Sequence, residues 1–230
     1  AHRDRIAFMR IVSGRFDADK EVYHVQGGKK LRLSRPQQLM AAEREIIEEA
    51  YAGDIIGVFD PGIFSIGDTL CAPGKKFRFD PIPTFAPEHF KRVRSLDTMK
   101  RKQFLKGMEQ IAQEGAIQIF KTPYTGMEEV IVGVVGTLQF DVLEYRLKNE
   151  YNVELYMEGL PYEYLRWIET DDGEPVKEED LILGTDVKLV EDYKGNQLLL
   201  FGSQWAIGWT EERNKNLSRR PSGLRKTNWQ

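Results

Sequence analysis

The sequence predicts a mixed fold: an antiparallel β-barrel over residues 1–82, followed by an α+β two-layer sandwich over residues 83–230. Three observations carry this. About seven short strand-like runs with turn signals between them crowd the first third, the spacing of a closed antiparallel barrel rather than of βαβ units. Phe79-Asp80-Pro81-Ile82-Pro83-Thr84 then holds two prolines in three residues, which marks a linker or domain edge. Beyond it, helix-period and strand-period segments alternate.

In the first part, Arg5 to Val12 alternates in part and ends at Ser13-Gly14. Glu21 to Val25 is a second strand, closed by Gly27-Gly28. Leu31 to Leu33, Gln38 to Ala42 and Ile46 to Glu49 follow. Ile55 to Phe59 is apolar throughout and bounded by Gly53-Asp54 and Asp60-Pro61-Gly62; Asp68 to Cys71 completes the set.

In the second part, Glu88 to Arg94 reads as a strand and Thr98 to Gly115 as a helix. Phe104, Leu105, Met108, Ile111 and Ala112 recur at helical spacing, and at about 100° per residue Lys102, Lys106 and Gln113 fall on the wet face. Ala116 to Phe120 is a strand. Val130 to Val135 is apolar on both faces, as a buried central strand requires, and Gly136 closes it. Leu138 to Tyr151 is a second helix, with Phe140, Leu143, Leu147 and Tyr151 on one side. Val153 to Met157 and Tyr162 to Ile168 are strands. A short helix near Val176 to Leu181, a hairpin from Val187 to Phe201 turning at Lys194-Gly195-Asn196, and a helix after Ser203 follow. Residues 218–230, rich in Arg, Ser, Pro and Gly, are expected to form a mobile tail.

With 230 residues, 41% of them apolar and 30% charged, the composition is that of a folded chain with a real core and not of a disordered one. No apolar run approaches the roughly 18 residues that span a bilayer, and no leader pattern follows Ala1. Cys71 is the one cysteine, so no intrachain disulfide can form and a reducing cytoplasmic location is the simplest expectation. Cys71 with His2, His24 and His89 shows no zinc spacing.

Charge is unevenly placed. Lys91, Arg92, Arg94, Lys100, Arg101, Lys102 and Lys106 stand against the single acid Asp97. Asp171 to Asp192 holds nine acidic residues against Lys177 and Lys188. Such polarity fits an anionic partner; the plainer alternative is a set of solvated faces.

Catalytic motifs are missing. A phosphate loop needs a glycine five residues before a Gly-Lys pair, but Gly28-Lys29 has Tyr23 there and Gly74-Lys75 has Thr69. Asn214-Lys215-Asn216 continues into Leu217 and fails the guanine-reading pattern. Asp54-Ile55-Ile56-Gly57 matches only a bare Asp-x-x-Gly, and Asp54 fits better as a turn residue. No serine sits in a nucleophile elbow. Cys71 reads as a small core residue and the Glu128-Glu129 and Asp171-Asp172 pairs as solvated. Trp205 and Trp209 could stack a base but read first as a helix packing stripe.

Two stretches carry a family resemblance. Glu49-Ala50-Tyr51-Ala52-Gly53-Asp54-Ile55-Ile56-Gly57-Val58, followed by Ile66-Gly67-Asp68-Thr69-Leu70, resembles the second domain of translational GTPases, the β-barrel shared by elongation factors Tu and G. Gly53 and Gly67 allow tight turns with positive φ, and Asp54 and Asp68 can bond turn amides. Val134-Val135-Gly136-Thr137-Leu138-Gln139-Phe140-Asp141-Val142-Leu143 resembles a strand–Gly–helix unit in the third domain of elongation factor G. With Phe85-Ala86-Pro87-Glu88 and the Arg3-Asp4-Arg5-Ile6-Ala7-Phe8 opening, it looks specifically like the release factor 3 family of translational GTPases.

The resemblance implies an elongation factor Tu domain-two-like barrel and an elongation factor G domain-three-like sandwich. It implies a fragment without the GTP-binding domain, with no catalysis and no cofactor of its own; GTP or GDP and magnesium would belong to that missing domain. It implies a cytoplasmic monomer whose partners are the ribosome, through small-subunit RNA and protein, the class I release factor, and its own GTP-binding domain, with no membrane. The whole protein would promote dissociation of class I release factors after termination. On charge clustering alone, Lys29, Lys30, Arg32 and Arg35, with Arg92, Arg94, Lys102 and Lys106, are expected to face RNA. Gly53, Asp54, Gly57, Gly67, Asp68 and Gly136 are expected to be structural. An elongation factor G relative is the competing reading. A free-standing enzyme in the α+β half would need a convergent acid, base and nucleophile, which the sequence does not offer.

Overall fold

The computed structural model describes residues 5–18, 20–40, 43–80, 82, 85–123, 129–168, 175–215 and 225–226. Of these, 34–40, 43–45, 129 and 225–226 are described by backbone alone. They fall into two units, Ala1–Ile82 and Pro83–Gln230.

The first unit is built of antiparallel strands: β1 (Arg5–Arg10), β2 (Arg15–Asp17), β3 (Val22–His24), β4 (Lys29–Leu31), β5 (Ser34–Met40), β6 (Glu43–Ile46), β7 (Glu49–Tyr51), β8 (Ile55–Asp60) and β9 (Leu70–Cys71). They pair as three sheets, β1-β8-β5-β6, β2-β7 and β4-β3-β9. Among the described residues, pairing does not run as one closed ring. Five of the nine strands (β2, β3, β4, β7 and β9) are only two or three residues long, too short to carry a continuous ladder. β8 is the scaffold. It pairs with β1 from Arg5↔Asp60 to Arg10↔Ile55, and Ile56 and Val58 point into a core with Phe16, Leu33, Ala50 and Phe64. Ile55, expected inside an apolar strand, is exposed, as the pleat requires of the residue before Ile56.

The second unit opens with β10 (His89–Ser95), α1 (Arg101–Gln113), β11 (Gln118–Lys121), β12 (Glu129–Val134), α2 (Leu138–Tyr151) and β13 (Leu155–Leu160). Their sheet order is β13-β10-β12-β11, all antiparallel, the arrangement of a split β-α-β. α1 is longer in the sequence reading than in the structure: a 3₁₀ turn covers Thr98–Lys100, where Asp97 Oδ1 accepts from Met99 N at 2.9 Å. Phe104, Met108 and Ile111 of α1 and Phe140, Leu143 and Leu147 of α2 bury against Val93, Ile119, Val130, Val132 and Val134.

The same sheet then runs past β11 into β15 (Val187–Asp192), β16 (Gln197–Phe201), β14 (Tyr164–Trp167) and β17 (Arg225–Lys226), eight strands in all. Its pleat feeds three cores. Val130, Val132 and Val134 face the helices, while Ile131 packs with Phe90, Phe120, Leu165, Val190, Leu198 and Leu200. In β16, Leu199 and Phe201 turn the other way, under α3 (Gln204–Arg213), with Val187, Leu189, Ala206 and Ile207. The unit therefore holds more layers than the two that the sequence predicts. The stretch expected as a helix near Val176 is a 3₁₀ turn at Glu178–Asp180. The expected mobile tail lies outside the described residues apart from Arg225–Lys226, which pair with β14.

Candidate nucleic-acid interface

Lys29 and Lys30 sit on β4, an outer strand of the β4-β3-β9 sheet, with Arg32 just beyond it; all three side chains are exposed. Lys29 lies opposite His24 and Lys30 opposite Tyr23. Among the described residues, none of the three cations has a carboxylate partner. Arg35 belongs to β5, but its side chain lies outside the described residues.

The scaffold below these cations is polar and hydrogen-bonded, although the buried His24 Nδ1 has no hydrogen-bond partner among the described residues. The turn into β4 closes through Gly28 N to Val25 O at 3.2 Å, with Gly28 at φ +63°. Buried His24 shares Nε2 with Asp68 Oδ2 at 2.8 Å, and the same carboxylate oxygen accepts from Ser65 N at 2.8 Å. Gln26 Oε1 accepts from Thr69 N at 2.8 Å. Gly27 must lack a side chain, because a Cβ there would stand 2.4 Å from His24 Nδ1.

The glycine and aspartate residues named from sequence lie in or next to turns or strands. Gly53 takes φ +103° in the turn into β8, and Asp54 Oδ2 accepts from Tyr51 N at 2.8 Å. Gly67 takes φ +89° beside Asp68. Gly57 is buried in β8, paired with Phe8 on one side and Gln37 on the other. Gly136 has no positive φ; its amide donates to Gln139 Oε1 at 3.0 Å.

The basic run of the second unit does not form one surface. Lys91 lies over the Phe140 ring at 4.5 Å, on the helix side of β10. Arg92 and Arg94 point to the opposite face, where Arg92 pairs with Glu158 at 3.1 Å and Arg94 covers Tyr156 at 4.6 Å. Lys102 and Lys106 are exposed one turn apart on α1. Alternation along a strand and periodicity along a helix scatter cations that are neighbours in sequence.

Other features escape the sequence reading. Gln139 Oε1 accepts from both Val135 N and Gly136 N at 3.0 Å, while Nε2 donates to Ala116 O at 2.6 Å, tying the entry of α2 to the loop between α1 and β11. Buried Asp60 pairs with Arg5 at 3.3 Å and accepts the amides of Gly62, Ile63 and Phe64. Arg146 joins Glu114, after α1, to Glu150 on α2; these bonds raise its guanidinium pKa and hold the Glu150 carboxyl below the usual range. Trp205 and Trp209 pack on each other outside the core, with Arg213 over Trp209 at 4.1 Å, and Ala206, Ile207 and Thr210 are the buried face instead. Cys71 is only half-buried and its Sγ donates to Lys75 O. Among the described residues there is no cluster of three or more metal-ligating side chains and no helix long and apolar enough to cross a membrane.

Residues 1–73 match the family described as Elongation factor G domain 2. Residues 79–211, more than half the chain, match Class II release factor RF3, C-terminal domain. The chain belongs to the release factor 3 family. Release factor 3 relatives agree along nearly its whole length. The Symbiobacterium thermophilum protein named peptide chain release factor 3 is 54% identical over 217 residues, 94% of this chain and 40% of that one. The Gloeobacter violaceus protein of the same name is 45% identical over 216 residues with the same coverage. The chain thus spans about 40% of the length of these release factor 3 relatives. A crystal structure from Thermus thermophilus matches at a TM-score of 0.55 and 17% identity, over 74% of this chain and 27% of that one, which establishes likeness of fold alone. The C-terminal match to a release factor disfavours the elongation factor G alternative.

Proposed function

We propose that this chain is the non-catalytic, ribosome-binding part of a release factor 3, a GTPase that promotes dissociation of class I release factors after termination. Residues 1–82 serve as the barrel-type second domain and residues 83–230 as the α+β C-terminal domain. GTP or GDP and magnesium act in a separate nucleotide-binding domain, within the length of the relatives that this chain does not span. The fragment works in the cytoplasm as a monomer. The observation that carries this reading is the 54% identity to a protein named peptide chain release factor 3 over 217 residues.

In this reading Lys29, Lys30, Arg32 and Arg35 lie along ribosomal RNA phosphates, with Arg92, Arg94, Lys102 and Lys106 contributing from separate faces. Lys29, Lys30 and Arg32 are exposed and, among the described residues, have no carboxylate partner; this supports it, since such cations release counterions when they meet phosphate. Co-sedimentation with ribosomes at low and high salt tests it. Charge reversal by Lys29→Glu, Lys30→Glu and Arg32→Glu should weaken binding and flatten its salt dependence; unchanged binding at both salts would remove the assignment.

A further inference from the structure

Lys75 to Arg78 lies between the two stretches that match known families, so neither likeness assigns it a role. Phe77 stands there edge to face with Phe79, the first residue of the second match, ring centroids 4.7 Å apart and planes at 84°. They are 57% and 41% exposed, too open to serve as core. Lys75, Lys76 and Arg78 interleave with them and are also exposed. Among the described residues these three cations have no carboxylate partner.

The segment is anchored through its backbone, which leaves the rings outward. Lys75 N donates to Ala72 O at 3.1 Å, Cys71 Sγ donates to Lys75 O at 2.9 Å, and Phe79 N donates to the buried Thr69 Oγ1 at 3.1 Å. It follows β9, which is separated from β4 only by β3. At the usual strand spacing, β9 lies about 10 Å from the strand bearing Lys29 and Lys30.

We infer that Phe77 and Phe79, flanked by Lys75, Lys76 and Arg78, form a stacking site for unpaired RNA bases beside the Lys29–Arg32 surface. A duplex hides the faces of its bases, so exposed rings gain from stacking only on bases that are already splayed or single-stranded. The cations supply phosphate contacts without sequence preference. This rests on the proposed ribosome-binding function and names the kind of RNA the surface takes.

The test is fluorescence anisotropy of the purified chain with two labelled RNAs, one short and unstructured, the other a long-stemmed hairpin closed by a compact loop whose own bases are stacked. The parent should prefer the unstructured RNA. Phe77→Ala with Phe79→Ala should cost about tenfold or more on that RNA, with the hairpin and the salt slope little changed. Phe77→Trp with Phe79→Trp should keep the preference, which separates stacking from damage to the fold. Lys75→Glu with Lys76→Glu should weaken both RNAs and flatten the salt slope. Equal binding of the unstructured RNA by the double-alanine variant, or a parental preference for the hairpin, overturns the inference. If the parent binds ribosomes while the double-alanine change has no effect, this site alone falls. If the parent binds neither ribosomes nor RNA, the proposed function falls with it.

Discussion

Asp68 and His24, 44 residues apart in sequence, meet through a 2.8 Å hydrogen bond between Oδ2 and Nε2. Because the same oxygen accepts the Ser65 amide, one carboxylate fixes both the loop ahead of β9 and the middle strand of the β4-β3-β9 sheet. Asp68→Ala leaves a buried imidazole without that partner and should destabilise the first unit by about 2 kcal/mol in urea unfolding. Asp68→Asn, which keeps one acceptor oxygen, should lose less.

Gly107 is the point where α1 approaches α2. A Cβ there would lie 3.0 Å from the Tyr151 ring and 3.1 Å from Leu147 Cδ1. Neither neighbour can move freely: Leu147 is fully buried, and Tyr151 is held by its hydroxyl donating to Gln110 Oε1 at 2.7 Å. Helix propensity favours alanine by about 1 kcal/mol, but overpacking costs about 1–3 kcal/mol. Gly107→Ala should therefore lower the melting temperature of the second unit.

Gln139 acts as an improvised cap. Gln139→Ala removes one acceptor shared by two amides and one donor to Ala116 O. The loss should be about 1–2 kcal/mol in chemical denaturation, with the denaturant slope unchanged. Gln139→Glu keeps the acceptor but not the donor and should fall between the two.

The Arg146–Glu150 pair gives a pH dependence of known sign. Hydrogen bonding to Arg146 lowers the Glu150 pKa, so the folded state favours the ionised carboxyl. Its contribution is complete above the unfolded glutamate value of about 4.3 and is lost as pH falls through the lower folded value. Both side chains are partly exposed, so the contribution is no more than about 1 kcal/mol. Stability followed by circular dichroism should therefore decline less steeply below about pH 5 in Arg146→Gln than in the parent.

The helical faces are legible in the sequence because period and burial agree: Phe104, Met108 and Ile111 on α1, and Phe140, Leu143 and Leu147 on α2, are all inside. β12 is legible as a buried strand because both of its faces are apolar. The pairing of the described residues of the first unit as three sheets is not, since strands of two or three residues carry almost no periodic signal. Trp205 and Trp209 mislead because spacing alone does not say which side of α3 faces the core; in the structure Ala206, Ile207 and Thr210 face it. In the candidate site, Lys29, Lys30 and Arg32 are visible as a cluster, whereas the Lys91–Lys106 run looks continuous only because sequence adjacency conceals the pleat of β10. The Lys-Lys-Phe-Arg-Phe alternation at 75–79 is plain in the sequence, but only the fold shows that its two rings stay outside the core.

Val130, Ile131 and Val132 are consecutive, yet the middle one belongs to a different core from its neighbours, and Leu198 to Phe201 repeat this in β16. No layer of the second unit can loosen without stripping one side of a strand that another layer still needs. Damage beneath α3 is thus felt beneath α1 and α2, and the whole eight-stranded unit should melt cooperatively. The amides of β12 and β16 should be the last to exchange with deuterated solvent.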